Sequence, residues 1–318
     1  MSQIVYHYTS PQGAFDILRN KTLRFTDCQY LNDMSEFVYI QEPFKEAYEK
    51  LSIERNEPTE NIESFIDSFF ISPYENVDKD WLLRRPNMSV FKIGAIPQFR
   101  YYVLCASSND DNVNMWNYYV KDGAYRGYNL GLDTDVISSF FSNLSNPNIK
   151  LVSGAVIYDK ANQIDKVYKK LRHLLSQFDS HIASLSEEED DTPIIDNFQD
   201  NLSDYINEQK VFFKNPAFAS EQEYRFVLKI HNDFSDYSHE NSSMNEPDLK
   251  VDFRIGASSI ITPYVEWKFD HRKALLLKRI TLSPMIEPGL AKESFKRFLA
   301  EDVYRNIDIK ESAIKLRY

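Results

Sequence analysis

The sequence predicts a mixed α+β fold with a mostly antiparallel sheet, and three features carry that expectation. Short segments of period-2 alternation recur from the N-terminus to the last hundred residues, as half-buried strands do. In the last third these segments outnumber the helices that parallel crossovers would require. Two helical stretches, about 38–96 and 160–213, interrupt the strand series and read as insertions into one domain spanning residues 1–318.

Ile4, Tyr6 and Tyr8 alternate with Val5, His7 and Thr9, which makes the first strand. Ser10 followed by Pro11 is an N-cap with proline at the first helical position. Ala14, Phe15, Ile17 and Leu18 then give a helix its buried face, and Thr22 to Thr26 follow as a second strand. In Tyr30-Leu31-Asn32-Asp33-Met34-Ser35-Glu36, either Asn32 or Asp33 can cap a helix running to about Leu51. Between residues 52 and 96 helical and polar stretches alternate. Ile62, Phe65, Ile66, Phe69 and Phe70 form an apolar stripe there, whereas Trp81 and Arg84-Arg85 fall in a less regular part. The whole reads as a helical layer or lid.

Phe99 to Ala106 is a strong strand ending in Ser107-Ser108-Asn109-Asp110, residues whose side chains bond their own backbone in turns. One or two helical turns at Asn114–Tyr119 and strands at 125–132 and 150–158 come next. From Lys160 a long helix places Val167, Leu171, Leu174, Leu175, Phe178, Ile182 and Leu185 on one face. The acidic run Glu187 to Asp191 ends it as a solvated loop. A second helix from about Pro193 to Phe213 completes an antiparallel hairpin. Glu223, Arg225 and Val227 alternate with Tyr224, Phe226 and Leu228, so the acid and the arginine are expected opposite the apolar face, with Glu223 near a strand's beginning. A polar loop at 232–248, strands near 249–254, 258–267 and 275–282, a helix at about 289–301 and a terminal strand ending at Ile314–Tyr318 account for the rest of the chain.

Composition narrows the function classes. A formal net charge of −11 works against general nucleic-acid binding, which needs clustered Lys and Arg to neutralise phosphates. From Lys268 onward, however, 12 basic residues meet 7 acidic ones, which leaves room for a local basic surface. With 8 glycines and no GxGxxG or GxxxxGK[ST] string, the common phosphate-cradling loops are excluded. Cys28 and Cys105, far apart and in strand-like surroundings, read as reduced structural thiols. The first residues lack the regions of a secretion signal and no run of ~18 apolar residues occurs, so a cytoplasmic location with no membrane partner is expected.

His7, flanked by two tyrosines at the end of a strand that opens a strand–helix–strand unit, is well placed to hold a ligand. Glu223 could reach the same cleft. The aromatics Trp116, Tyr118 and Tyr119 beside a glycine-containing turn can form a stacking platform for a flat ring. Each has a plainer alternative: a packed histidine bonded to a carbonyl, a surface carboxylate paired with Arg225 or a lysine, and an aromatic core.

Tyr6-His7-Tyr8-Thr9-Ser10, Leu23-Arg24-Phe25 with Asn32-Asp33-x-x-Glu36, Met115-Trp116-x-Tyr118-Tyr119 with a following glycine, and Glu221-x-Glu223-Tyr224-Arg225 together resemble, in order, the motifs of the DUF2971 proteins, a bacterial family named for its unknown function. The chain departs from that pattern at Asn32-Asp33-Met34, where the family has Asn-Asp-Pro, and at Phe218, where it has Trp before the Glu-x-Glu-Tyr-Arg string. The family is similar in turn to ADP-ribosyltransferase folds. That resemblance implies a split sheet of their type and NAD as substrate. It implies His7, Tyr118 or Tyr119, and Glu223 as the catalytic group, with His7, Tyr8, Thr9, Arg24, Asn32, Trp116, Arg225 and Arg254 as the residues that hold NAD.

Cleaving the nicotinamide–ribose bond builds positive charge on the ribose, as in glycoside hydrolysis. A carboxylate poised beside it attracts more strongly as that charge grows; the resemblance gives this role to Glu223. It gives His7 the adenosine ribose, a tyrosine the nicotinamide ring, and Arg24, Arg225 or Arg254 the pyrophosphate. The implied activity is NAD-consuming ADP-ribosylation of a protein or nucleic-acid target, in a toxin with an antitoxin partner or in a phage-defence effector. The competing reading is a non-catalytic nucleotide-binding sensor or interaction module that uses the inserted helices as its surface. A metal-dependent hydrolase is disfavoured, since His173/His181 and His231/His239 lack ligand spacing such as HExxH.

Overall fold

The alternating segments pair into a ten-stranded sheet. Its strands are β1 (Ile4–Thr9), β2 (Thr22–Asp27), β3 (Phe99–Ser107), β4 (Tyr128–Asp133), β5 (Ile149–Ala155), β6 (Glu223–His231), β7 (Leu249–Ile255), β8 (Ile261–Lys268), β9 (Leu277–Leu282) and β10 (Asp308–Glu311). These elements come from a computed structural model that describes residues 3–31, 39–56, 99–120, 125–186, 189–231, 246–256, 259–269 and 274–316. The strand order is β10-β9-β4-β1-β3-β2-β8-β7, with β6 also on β3 and β5 on β6. Every neighbouring pair is antiparallel except β10 with β9, so the expected mixed, mostly antiparallel α+β sheet is present.

The sheet branches at β3. One edge of β3 is given wholly to β6, from Phe99↔His231 to Ser107↔Glu223. The other edge is shared. β2 takes Tyr102 and Val103, and β1 takes only Ser107, opposite Tyr6. Leu104, Cys105 and Ala106 lie between these two claims.

Helix α1 (Pro11–Asn20) joins β1 to β2 and begins as its sequence dictates. Ser10 Oγ accepts the Gly13 N–H at 3.1 Å, satisfying one of the donors that a helix start leaves unpaired. A Cβ at position 13 would fall 2.2 Å from Thr9 Oγ1, so a side chain there would have to displace the Thr9 hydroxyl. On the described segments α2 (Gln41–Arg55), α3 (Val113–Tyr119), α4 (Thr134–Ser142), α5 (Lys160–Ser184), α6 (Thr192–Gln209) and α7 (Pro288–Phe298) follow.

The chain divides into two compact units, one of residues 1–32, 99–156 and 218–318, the other of 33–98 and 157–217. The first is built on the sheet. Val5, Leu18, Leu23, Phe25, Leu104, Phe226, Val265 and Trp267 belong to its buried core, and area removed from water is the main term holding such a core together. The second gathers the two inserted stretches. Ile40, Phe44, Ala47 and Leu51 of its first part pack with Val167, Leu171, Leu202, Ile206 and Phe213 of its second.

Several sequence expectations need correction. α6 ends at Gln209 rather than Phe213, because the chain then turns back and the Ile157 N–H donates to Phe212 O at 2.8 Å. The last strand is Asp308–Glu311, not the terminus, since Ile314 packs instead against Tyr8, Met115, Trp116 and Val120. α4 follows β4 directly, outside the elements expected from the sequence; Asp133 caps it by accepting the Asp135 and Val136 N–H groups. The stripe Ile62–Phe70, Trp81, Arg84, Arg85, the capping candidates Asn32 and Asp33 and nearly all of the 232–248 loop lie outside the described residues. No helix among the described residues is long and apolar enough to cross a membrane.

Candidate functional site

The shared edge of β3 opens into a cavity of about 270 Å³, just under the roughly 300–1,000 Å³ typical of small-molecule sites. Val103, Leu104, Cys105 and Ala106 line it from β3. His7, Tyr8 and Thr9 line it from β1, Gly13, Asp16 and Ile17 from α1, Thr22, Arg24 and Thr26 from β2, Met115 and Tyr119 from α3, Glu223 from β6 and Arg254 from β7. All of these residues belong to the sheet unit.

His7 sits where β1 and β3 part. Continuing the Tyr6↔Ser107 register would bring Tyr8 opposite Cys105, but the ladder stops, and His7 Nδ1 meets the Cys105 carbonyl at 2.8 Å instead. Burial lowers the His7 pKa, with the Arg254 charge acting the same way against the opposing bond to Cys105. A neutral ring that donates from Nδ1 to a carbonyl keeps Nε2 as an acceptor.

Glu223 is the first residue of β6, at the end of a 3₁₀ turn over Pro216–Glu221. Gln222 between them takes φ 48°, a left-handed conformation that a non-glycine residue adopts only when its surroundings enforce it. Two bonds do so, from Ser108 N–H to Gln222 O at 2.8 Å and from Ser107 Oγ to Glu221 O at 2.7 Å. The Arg225 Nε donates to Glu223 Oε2 at 2.6 Å, and both side chains are 2% exposed. The expectation that acid and arginine share a face holds; they are buried there rather than displayed.

Tyr119 donates to Glu221 Oε2 at 3.4 Å. Burial, then the charges of Glu223 and Glu221, raise its pKa, so it stays a phenol. From the β2–β8–β7 side of β3 come two cations. Arg24 pairs with Glu266 Oε2 at 3.2 Å and lies 4.9 Å from the Tyr264 ring centre. Arg254 donates to Thr26 Oγ1 at 2.9 Å and has no ion pair among the described residues; burial and then the Arg24 charge lower its pKa. The cavity is thus lined by two guanidinium groups, threonine hydroxyls, the carboxylates of Asp16 and Glu223, a phenol and a neutral imidazole. That set suits a sugar phosphate.

Not every expected residue arrives. Met115 and Tyr119 are four apart and share a helix face, which leaves Tyr118 pointing away and 63% exposed. Trp116 is buried, edge-on to Tyr8 at 4.6 Å, with Nε1 donating to Asp111 Oδ1 at 2.8 Å. Arg225 is placed behind Glu223 rather than on the lining, and Asn32 lies outside the described residues. Thr22, Thr26, Asp16 and Cys105 line the cavity without having been anticipated. The two threonines were recoverable, since residues two apart on a strand share a face with Arg24. Among the described residues no group of three or more His, Cys, Asp or Glu side chains is placed to hold a metal ion, and Cys28 and Cys105 form no disulfide.

Residues 115–226 match the model of a family described as a protein of unknown function, DUF2971. The DUF2971 resemblance is borne out. The matched stretch carries Met115, Tyr119 and Glu223 of the cavity, while His7, Arg24 and Arg254 lie outside it. No curated protein and no solved structure matches the chain.

Proposed function

We propose that this chain is an NAD-consuming ADP-ribosyltransferase acting on a macromolecular target, as a toxin or phage-defence effector. The observation that carries the reading is that His7, Tyr119 and Glu223, drawn from the beginning, middle and later part of the chain, line one cavity. In this reading His7 Nε2 accepts a ribose hydroxyl, Tyr119 flanks the departing nicotinamide, and Arg24 with Arg254 holds the phosphates. The Glu223 carboxylate stabilises the positive charge that grows on the ribose as the glycosidic bond breaks. Arg225 orients that carboxylate.

The test is incubation of the purified protein with labelled NAD and cell lysate, scoring free nicotinamide and labelled macromolecules. We expect release and transfer by the wild type, a loss of about 100-fold or more in Glu223→Gln, by analogy with removal of one preorganised charge-stabilising group, and no change in Tyr118→Ala. A wild type that liberates no nicotinamide and labels nothing ends the enzyme reading.

One observation favours a second reading, a non-catalytic nucleotide-binding module: Glu223 already has Arg225 as a close partner. That reading expects nucleotide binding without nicotinamide release, weakened by His7→Ala and unaffected by Glu223→Gln.

A further inference from the structure

α3 has seven residues, too few to hold a helical conformation unaided, yet it delivers Met115 and Tyr119 to the cavity. The preceding turn fixes it. Asn112 Oδ1 caps it by accepting the Asn114 N–H at 2.9 Å. Tyr8 Oη donates to Asn109 O at 2.8 Å and accepts the Asn112 N–H at 3.0 Å. Asp110 O accepts from Asn129 Nδ2 at 2.8 Å, and its carboxylate pairs with Lys310.

Asp111 is the hinge pin of this arrangement. Its Oδ1 accepts from Trp116 Nε1 at 2.8 Å and from Ser312 Oγ at 2.7 Å, and its Oδ2 accepts the Ala313 N–H at 2.7 Å. One carboxylate therefore ties α3 to the segment that continues from β10. Ser312 is itself anchored to the sheet by its N–H to Leu282 O at 3.0 Å, and Ile314 closes over Tyr8, Met115, Trp116 and Val120.

We infer that Asp111 is a positioning residue of the cavity: by clamping Trp116 against residues 312–313 it sets the placement of α3 and hence of Tyr119. The inference rests on the cavity being the ligand site, and is independent of the reaction performed there. Loss of the clamp should free α3 while the sheet stays intact.

The test is amide hydrogen exchange on the full chain without ligand, comparing wild type with Asp111→Ala, Ser312→Ala and Ser312→Thr. We expect exchange across residues 113–120 to rise about tenfold in Asp111→Ala and several-fold in Ser312→Ala, with β3 and β6 unchanged, and to return to the wild-type rate in Ser312→Thr, which keeps the hydroxyl. If Asp111→Ala does not fold, the two Ser312 variants decide. Unchanged exchange in 113–120, an equal rise across β3 and β6, or a threonine no better than alanine overturns the inference. NAD affinity, measured by calorimetry on the same variants, should fall in step with α3 exchange. A wild type that binds no NAD removes the nucleotide reading, while the exchange result still judges the clamp.

Discussion

Two sets of close ion pairs, one in each unit, sit in opposite surroundings. In the helical unit Lys160 bridges Glu42 and Glu46, each at 2.7 Å, and Arg55 meets Asp179 at 2.8 Å, with the Lys160 and Glu42 side chains 40% and 59% exposed. In the sheet unit Glu223 and Arg225 meet at 2.6 Å with 2% of each exposed. Exposed pairs gain little, because water screens them and two long side chains must be held still. A buried pair has lost its hydration, so each ion depends on the other. The same kind of close contact therefore contributes little at Lys160 and constrains the cavity wall at Glu223.

The contrast can be broken at its strongest point first. Arg225→Met removes the guanidinium that donates to the buried Glu223 carboxylate and should lower stability by about 3–5 kcal/mol, read as a fall in the urea midpoint. Adding Glu223→Met should recover most of that loss, since apolar replacement of a whole buried pair is often neutral, while any function that needs the carboxylate stays lost. A double variant no more stable than the single would show that the pair does not act as a unit.

A smaller effect concerns His7. Its folded pKa lies below the ordinary 6.5, so above that pH the ring is neutral in both folded and unfolded chains and contributes no slope. Below pH 6.5 the unfolded chain takes up a proton that the folded chain does not, and stability should fall by about 1.4 kcal/mol per pH unit until the lowered value is reached. His7→Gln should flatten its part of that slope in urea melts repeated from pH 7.5 to 5. The smallest effect belongs to the helical unit, where Lys160→Ala should leave the urea midpoint unchanged within error; a clear drop would erase the distinction between the exposed pairs and the buried one.

Local chemistry is the legible part of this sequence. Ser10 and Pro11 announce α1, the alternation around Tyr224 places Glu223 at the beginning of β6, and the 3.6-residue spacing from Val167 to Leu174 marks the helix that packs on α2. Each of these signals needs only near neighbours. The division of the β3 edge between β1 and β2 leaves no such trace, because it depends on which of several similar strands pair across a hundred residues. The burial of Arg225 is hidden for the same reason: alternation tells which face a side chain takes, and only the assembled sheet tells whether that face meets water. Trp116 reads as a stacking platform in the sequence because its partner Asp111 is five residues away and its other neighbour, Ile314, nearly two hundred. α4 escapes notice because it follows β4 without a loop, and its Phe140 and Phe141 are of a type enriched in strands.

The hollow beside α1 lies where main-chain pairing leaves a gap, two strands leaning on opposite halves of a third. Because that gap is set by which strands pair, substitutions of wall side chains such as Thr22, Thr26 and Arg254 would change its contour and chemistry while the strand framework around it stays, so different ligand preferences could be written on one frame.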